Sequence, residues 1–344
     1  MGKFGPASKW LKDQREVIKL ETTDLSGRVV LVIGANVGLG LEASRHFASM
    51  NPERLIMACR NTTKGEAAIK DVQSTTGYAQ IDLLHIDLTD SASISKFIEE
   101  LSSKGVTRID TTLINAGMMT PKFELTVDGW ETTLQTNHIG TALVALLLLP
   151  FHLATKHEDP FPRIAFVGSE VHYFVSKVEE TKQPNILEAL NDKKLARMPE
   201  RYYITKTLNL FFARSLASRV QPGSLSVTAI NPGFCKSQLI RNEGVIKMAG
   251  LKLATALLSR PTEMGSRCLV HGAVIASDEV VHGKYLNNCR VEEESDFVIS
   301  EEGGRVQERV WKETIELLAK INPQITGIVD KYLNQPNGNG KNPI

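Results

Sequence analysis

The sequence predicts an α/β fold, a doubly wound parallel sheet in a single domain, and three observations predict it. Short β-rich apolar runs alternate with longer amphipathic stretches along most of the 344 residues. The early runs are apolar throughout, the pattern of strands covered by helices on both faces. A glycine cluster, "GANVGLG", stands between the first run and the first amphipathic stretch. No internal repeat at periods of 20 to 50 residues competes with this reading.

Taken in order, "RVVLVIG" (28–34) reads as a buried strand and "GLGLEASRHFASM" (38–50) as the helix after it. "RLIMACR" (54–60) is the next strand, and "KGEAAIKDVQSTTG" (64–77) a helix ended by glycine. "DLLHIDL" (82–88), "DTTLINAG" (110–117), "RIAFVGS" (163–169) and "SLSVTAINPG" (224–233) continue as strands, with "KYLNN" (284–288) as a last one. The domain these elements build is expected to span 27–290. Outside its core lie an N-terminal arm (1–26), a polar segment (170–200) and an apolar segment (234–262). The remainder, 291–344, carries a helix, "GRVQERVWKETIELLAKI", and a tail, "NQPNGNGKNPI", whose composition predicts disorder.

Composition narrows the function. Hydrophobic residues make up 42% and charged residues 23%, enough apolar material for a sizeable core. Forty basic against thirty-nine acidic residues leave a net charge of +1, so no long-range field gathers nucleic acid or anionic lipid. Four scattered cysteines form no CxxC, which predicts reduced thiols rather than a disulfide frame or a zinc site. The first thirty residues are interrupted by charges and lack the apolar centre of a signal peptide. The run "ALVALLLLPF" (142–151) is about half the ~20 residues a membrane-spanning helix needs and reads as a buried helix. A cytoplasmic location is the expectation.

The glycine turn places Gly34, Gly38 and Gly40 between strand and helix, at the carboxyl end of a strand where open α/β sheets bind ligands. Glycines there let backbone approach a pyrophosphate, and the helix N-terminus offers free N–H groups and a favourable dipole. The second strand ends "MACRN", so Arg60 stands where an acidic residue would hold the ribose hydroxyls of NAD. A guanidinium there can pair with a 2′-phosphate instead, which predicts NADP(H).

Two tyrosine–lysine pairs share the same spacing, Tyr173/Lys177 in "YFVSK" and Tyr202/Lys206 in "YYITK". The pair needs a helix, because there residues i and i+4 share a face. Lys206 leads into "TLNLFFARSLASRV", a helix-length pattern, whereas Lys177 leads into a stretch interrupted by Pro184. Tyr173 also follows the end of a strand at Ser169 by only four residues, too few for the chain to turn back into a helix. Tyr202 is therefore the proton-handling candidate. A nearby lysine cation and an oxidised nicotinamide both favour tyrosinate, so its pKa is expected to fall from near 10 towards the working range.

The glycine turn, "NAG" (115–117), Tyr-x3-Lys and "NPG" (231–233), in that order, resemble the short-chain dehydrogenase/reductase family over about residues 27–290. Through "ACRN" and "TNHIG" the chain is similar to the retinol-dehydrogenase-like branch and related fungal reductases. Ile33, Ile114 and Thr205 depart from the commonest pattern, conservatively in size; Ile33 removes one hydroxyl beside the phosphate turn. The resemblance implies a Rossmann-like fold and a catalytic set of Asn137, Ser169, Tyr202 and Lys206. In it Ser169 hydrogen-bonds the reacting oxygen, Lys206 also holds the ribose, and Asn137 anchors a proton-relaying water. For the cofactor it implies Gly34, Asn36, Gly38, Leu39 and Gly40 at the turn, then Arg60 and Asn61 after the second strand. Asp87, near the adenine, and Leu88 follow, then Asn115, Ala116 and Gly117, then Tyr202 and Lys206, and finally Pro232, Gly233 and Ser237. It further implies a substrate flap after "NPG", where Phe234, Leu239, Ile240, Val245, Ile246, Met248, Leu251 and Leu253 predict an apolar lining.

The expected activity is that of an NADP(H)-dependent ketone or aldehyde reductase acting on a bulky apolar carbonyl or alcohol. The alternative is a nucleotide-fold binding or pericyclase-like protein without redox turnover, against which Tyr202 and Lys206 argue. His138 and His172 read as polar residues near loops, with His172 bordering the substrate side; no histidine–carboxylate cluster has metal-ligand spacing. Related enzymes pair through two long helices, here about 125–157 and 201–220, which makes a homodimer the corresponding expectation.

Overall fold

The computed structural model describes residues 7–154, 161–236 and 258–333. An N-terminal helix, α1 (Ala7–Arg15), precedes the alternating core: β1 (Val29–Ile33), α2 (Gly38–Ser49), β2 (Arg54–Cys59), α3 (Thr62–Thr76), β3 (Ile81–His85), α4 (Ser91–Ser103) and β4 (Thr111–Ile114). A long helix, α5 (Thr132–Leu153), follows, then β5 (Arg163–Val167), the short α6 (Ile186–Leu190), α7 (Met198–Ala217), β6 (Ser226–Asn231) and α8 (Thr262–Val270). The chain finishes with α9 (Asp278–Val281), β7 (Tyr285–Asn287), β8 (Arg290–Glu292), α10 (Asp296–Ile299), α11 (Glu301–Ile321) and α12 (Gln324–Tyr332).

The strands form one eight-stranded sheet in the order β3-β2-β1-β4-β5-β6-β7-β8. All neighbours are parallel except β7 and β8, an antiparallel hairpin. Strand alternation divides the core in two. Val29, Leu31 and Ile33 face α4, α5, α7, α11 and α12, while Val30 and Val32 face α2, α3 and α8. The strand order reverses between β1 and β4, which opens a crevice at their carboxyl ends.

α5 is the one described helix long and apolar enough to cross a membrane, but 142–149 are all buried in the protein. Its apolar face continues the core. The C-terminal helices also belong to this layer. Trp311 of α11 stacks on Phe212 of α7 at 5.4 Å between ring centres, and Thr314 pairs with His138 of α5 at 2.9 Å. Val306, Val310, Trp311, Leu318, Ile325, Ile328, Val329 and Leu333 are buried there. At roughly 1.5–3 kcal/mol for each fully buried side chain, that burial is worth on the order of 10 kcal/mol or more. Pairing of two copies through the faces of α5 and α7 that α11 and α12 cover would have to displace this packing.

The arm before β1 is tied down as well: Ile18 and Leu25 are buried in the α2 layer, and the Leu25 amide donates to the Met50 carbonyl. The tail at 334–344 lies outside the described residues.

Candidate active site

A cleft of about 1020 Å³ runs along the carboxyl ends of β1 to β6. At its centre is the turn after β1. Gly34 (φ +87°) packs so tightly on the "NAG" segment that a β-carbon would lie 2.8 Å from the Ala116 backbone. Asn115 fastens the two turns by donating to the Gly34 carbonyl at 2.9 Å. Gly38 (φ +60°) faces open space, with nothing within 4 Å of a β-carbon built on it. It opens α2, whose N-terminus has no side-chain cap, so first-turn N–H groups remain available. Gly40 is small for a different reason. A β-carbon there would meet the Gly34 carbonyl at 2.1 Å, so the residue serves helix–strand packing and does not line the cleft.

One end of the cleft is cationic. Arg60 lies 3.9 Å from the Asp87 carboxylate, and Lys64 in the first turn of α3 lines the same end. Lys64 belongs to no sequence motif, although its place two residues inside the helix start after "RN" marks it. Asn61 lines the cleft and caps α3, accepting the Lys64 amide at 2.8 Å. Asp87 accepts the Thr89 amide and hydroxyl at 3.0 and 2.7 Å.

The other end holds Tyr202, Lys206 and Ser169. α7 delivers Tyr202 and Lys206 from one face, with the lysine ammonium 5.8 Å from the centre of the tyrosine ring. Ser169, at the end of β5, faces the same space and is hydrogen-bonded to Tyr202. Its hydroxyl also accepts weakly from the Val171 amide, capping a 3-10 turn at Glu170–Phe174. Lys206 donates to the Val167 carbonyl at 2.8 Å.

Asn137 stands behind this wall rather than in the cleft, within a π-helical turn of α5 at Gln135–Ile139. Its amide clasps the Met118 backbone, accepting the N–H at 2.8 Å and donating to the carbonyl at 2.9 Å, and reaches the Thr205 hydroxyl at 3.1 Å.

Electrostatics departs from expectation at Tyr202. Its pKa is raised, not lowered, because the side chain is enclosed and burial outweighs the Ser169 hydrogen bond. Burial also depresses Lys206, to about 8. Tyr202 is thus a phenol across the neutral range, suited to give a proton.

Tyr173 and Lys177 are separated from the cleft. Tyr173 lies within the 3-10 turn and donates to the Glu293 carbonyl, and Lys177 is exposed beside Glu179. His172 does not border the cleft; it is buried behind Ser169, whose carbonyl it meets at 2.8 Å.

Leu39, Leu88, Gly117, Pro232 and Gly233 line the cleft, as do Asn36 and Ala116. Ser237 lies outside the described residues, as do Leu239, Ile240, Val245, Ile246, Met248, Leu251 and Leu253. Of the expected apolar flap Phe234 lines the cleft, joined by Met118, Met119, Val171 and Tyr203, which sequence reasoning passes over because they are not the defining residues of any motif. No group of three or more metal-ligating side chains occurs among the described residues.

The short chain dehydrogenase family profile matches residues 28–175. Short-chain dehydrogenase anuD of Penicillium roqueforti (strain FM164) is 37% identical over 314 residues, covering 88% of this chain and 81% of that one. Short chain dehydrogenase FGM9 of Gibberella zeae is 33% identical over 322 residues, covering 92% and 93%. Among solved structures, NADPH-bound carbonyl reductase from chicken fatty liver aligns with a TM-score of 0.58 at 16% identity, covering 81% of this chain and 97% of that one. That last likeness is one of fold alone.

Proposed function

Because the chain belongs to the short-chain dehydrogenase/reductase family, we propose that it is an NADP(H)-dependent oxidoreductase that reduces a ketone or aldehyde to an alcohol. The observation that carries this reading is the convergence of Tyr202, Ser169 and Lys206 on one end of a cleft whose other end holds Arg60 and Lys64.

The residues fit the cofactor. The open space before Gly38, the uncapped start of α2 and the cationic pair suit a pyrophosphate and a 2′-phosphate. When bound, the cofactor supplies or accepts hydride. In the reductive direction the Tyr202 phenol gives its proton to the carbonyl oxygen, and the Ser169 hydroxyl donates a hydrogen bond to the same oxygen. The Lys206 cation stabilises the tyrosinate left behind, and Asn137 holds the Met118 backbone so that the wall beside Lys206 keeps its shape. In reverse, tyrosinate removes the alcohol proton.

The walls at Met118, Met119, Val171, Tyr203 and Phe234 favour a bulky, largely apolar substrate. A cytoplasmic location suits the four free thiols. Incubation with NADPH and a panel of carbonyl compounds of increasing ring size, following the absorbance of the reduced cofactor, tests the proposal. Oxidation of NADPH that rises with ring size supports it. Conversion of substrate without cofactor turnover would overturn the redox reading, and a best substrate of three or four carbons would overturn the size preference.

A further inference from the structure

The N-terminal helix α1 reaches across to the turn after β6. The Gln14 side chain is buried and forms two hydrogen bonds with the Phe234 backbone, donating to its carbonyl at 2.5 Å and accepting its N–H at 3.1 Å. This is the pairing one strand offers another, made here by an amide side chain 220 positions away. Arg260, also buried, completes the clasp. Its guanidinium donates to the carbonyls of Gln14 and Pro232, both at 3.3 Å, and to that of Asp13. The Arg260 backbone pairs with the same turn, donating to the Phe234 carbonyl at 2.8 Å and accepting the Lys236 N–H at 3.1 Å.

Gly233 sits inside this clasp. At φ +78°, a β-carbon there would come within 2.9 Å of the Arg260 guanidinium and 3.1 Å of the Gln14 amide oxygen. Trp10, one turn before Gln14, donates to the Glu170 carboxylate at 3.0 Å, beside Ser169. The arm therefore touches both Pro232–Phe234 and the residue next to the serine.

We propose that Gln14, assisted by Arg260, is a positioning residue: it sets the Pro232–Phe234 turn against the nicotinamide half of the cofactor, so that the arm forms part of the active-site frame. The inference rests on the proposed function, in which the nicotinamide lies at the Tyr202 end and the 2′-phosphate at the Arg60 end. Gln14 touches neither substrate nor cofactor. It acts through the backbone of Phe234.

The test compares two ligands that differ only at one end. NADPH and 2′-phospho-ADP-ribose share the adenosine phosphate half, and only NADPH has the nicotinamide. Dissociation constants are measured for the wild-type chain, Gln14→Met, which keeps length and loses both hydrogen bonds, and Gln14→Glu, which keeps an acceptor and loses the donor. Gln14→Met is expected to weaken NADPH by up to about tenfold, the scale of one or two neutral hydrogen bonds, while 2′-phospho-ADP-ribose changes by less than about twofold. Gln14→Glu is expected to fall between and carries the test if the methionine variant does not fold. Equal losses for both ligands, or none for either, would overturn the inference while leaving the cofactor reading intact. A wild-type chain that binds neither ligand would overturn both.

Discussion

The Lys206 ammonium lies 5.8 Å from the centre of the Tyr202 ring, one turn further along the same helix, with both side chains buried. Tyr173 and Lys177 have the same spacing in sequence without that relationship, because a 3-10 turn ends between them and Lys177 projects beside Glu179. Tyr202→Phe deletes a proton and almost no volume. It is expected to lower kcat by about 10²- to 10⁴-fold with NADPH affinity near wild type, whereas Tyr173→Phe changes kcat by a few-fold at most. Loss of turnover in Tyr173→Phe alone would reverse the assignment.

Lys206 sets an alkaline limit. Burial holds its pKa at about 8, so the cation that stabilises the tyrosinate left by proton transfer is present below that pH and lost above it. The kcat/KM for NADPH in the reductive direction is expected to fall as pH rises through about 8. In Lys206→Arg, which cannot lose its charge there, the residual activity should lack that limb. A flat wild-type profile from about pH 7 to 9.5 would contradict this.

Arg60→Ala should reduce the preference for NADPH over NADH. A charge-assisted contact is worth about 1.5–3 kcal/mol, hence roughly ten- to 150-fold, and the partial exposure of Arg60 favours the lower end. Lys64 shares that end of the cleft, so Arg60→Ala/Lys64→Ala should remove more of the preference than the single change. Equal kcat/KM for the two cofactors in the wild type, unchanged by the substitutions, would refute the assignment.

His138, His152 and His172 predict the acid side of stability. Burial lowers His138 and His152 to about 3 and His172 to about 4, so all three are neutral in the fold. In the unfolded chain they take up protons near pH 6.5. A depressed histidine contributes stability above its unfolded pKa that is lost as pH falls, at about 1 kcal/mol per pH unit for each residue once below it. Urea midpoints should therefore drop steadily from about pH 6.5 to 4.5, before most carboxylates titrate. Constant midpoints over that range would count against it.

The parts of this molecule legible in its sequence are those set by near neighbours. Apolar runs mark β1, β2 and β5, and glycines mark the turn after β1, because burial on both faces and positive φ each restrict the residues at one place. The choice of Tyr202 follows from helix periodicity around it. The enclosure that raises the Tyr202 pKa depends on how elements pack, which no local pattern states. The same holds for Gln14 and Thr314, ordinary helix residues whose partners lie 220 and 176 positions away. The hairpin partner β8 escapes sequence reading for a simpler reason: Arg290 and Glu292 flank its single apolar residue, Val291, and the strand is three residues long.

The order of synthesis gives the packing of α11 and α12 another meaning. Residues 301–333 leave the ribosome after everything they cover, so α5 and α7 form with Phe212 and the Leu143–Leu149 layer still open to water on that side. A nascent chain stopped before residue 301 would present a broad apolar surface although every strand of the sheet has already been made. The core on this side is therefore closed only once α11 and α12 have been made: they seat Thr314 on His138 beside Asn137, and bring Glu313 to the N-terminus of α6, where it accepts from Ile186 and Leu187.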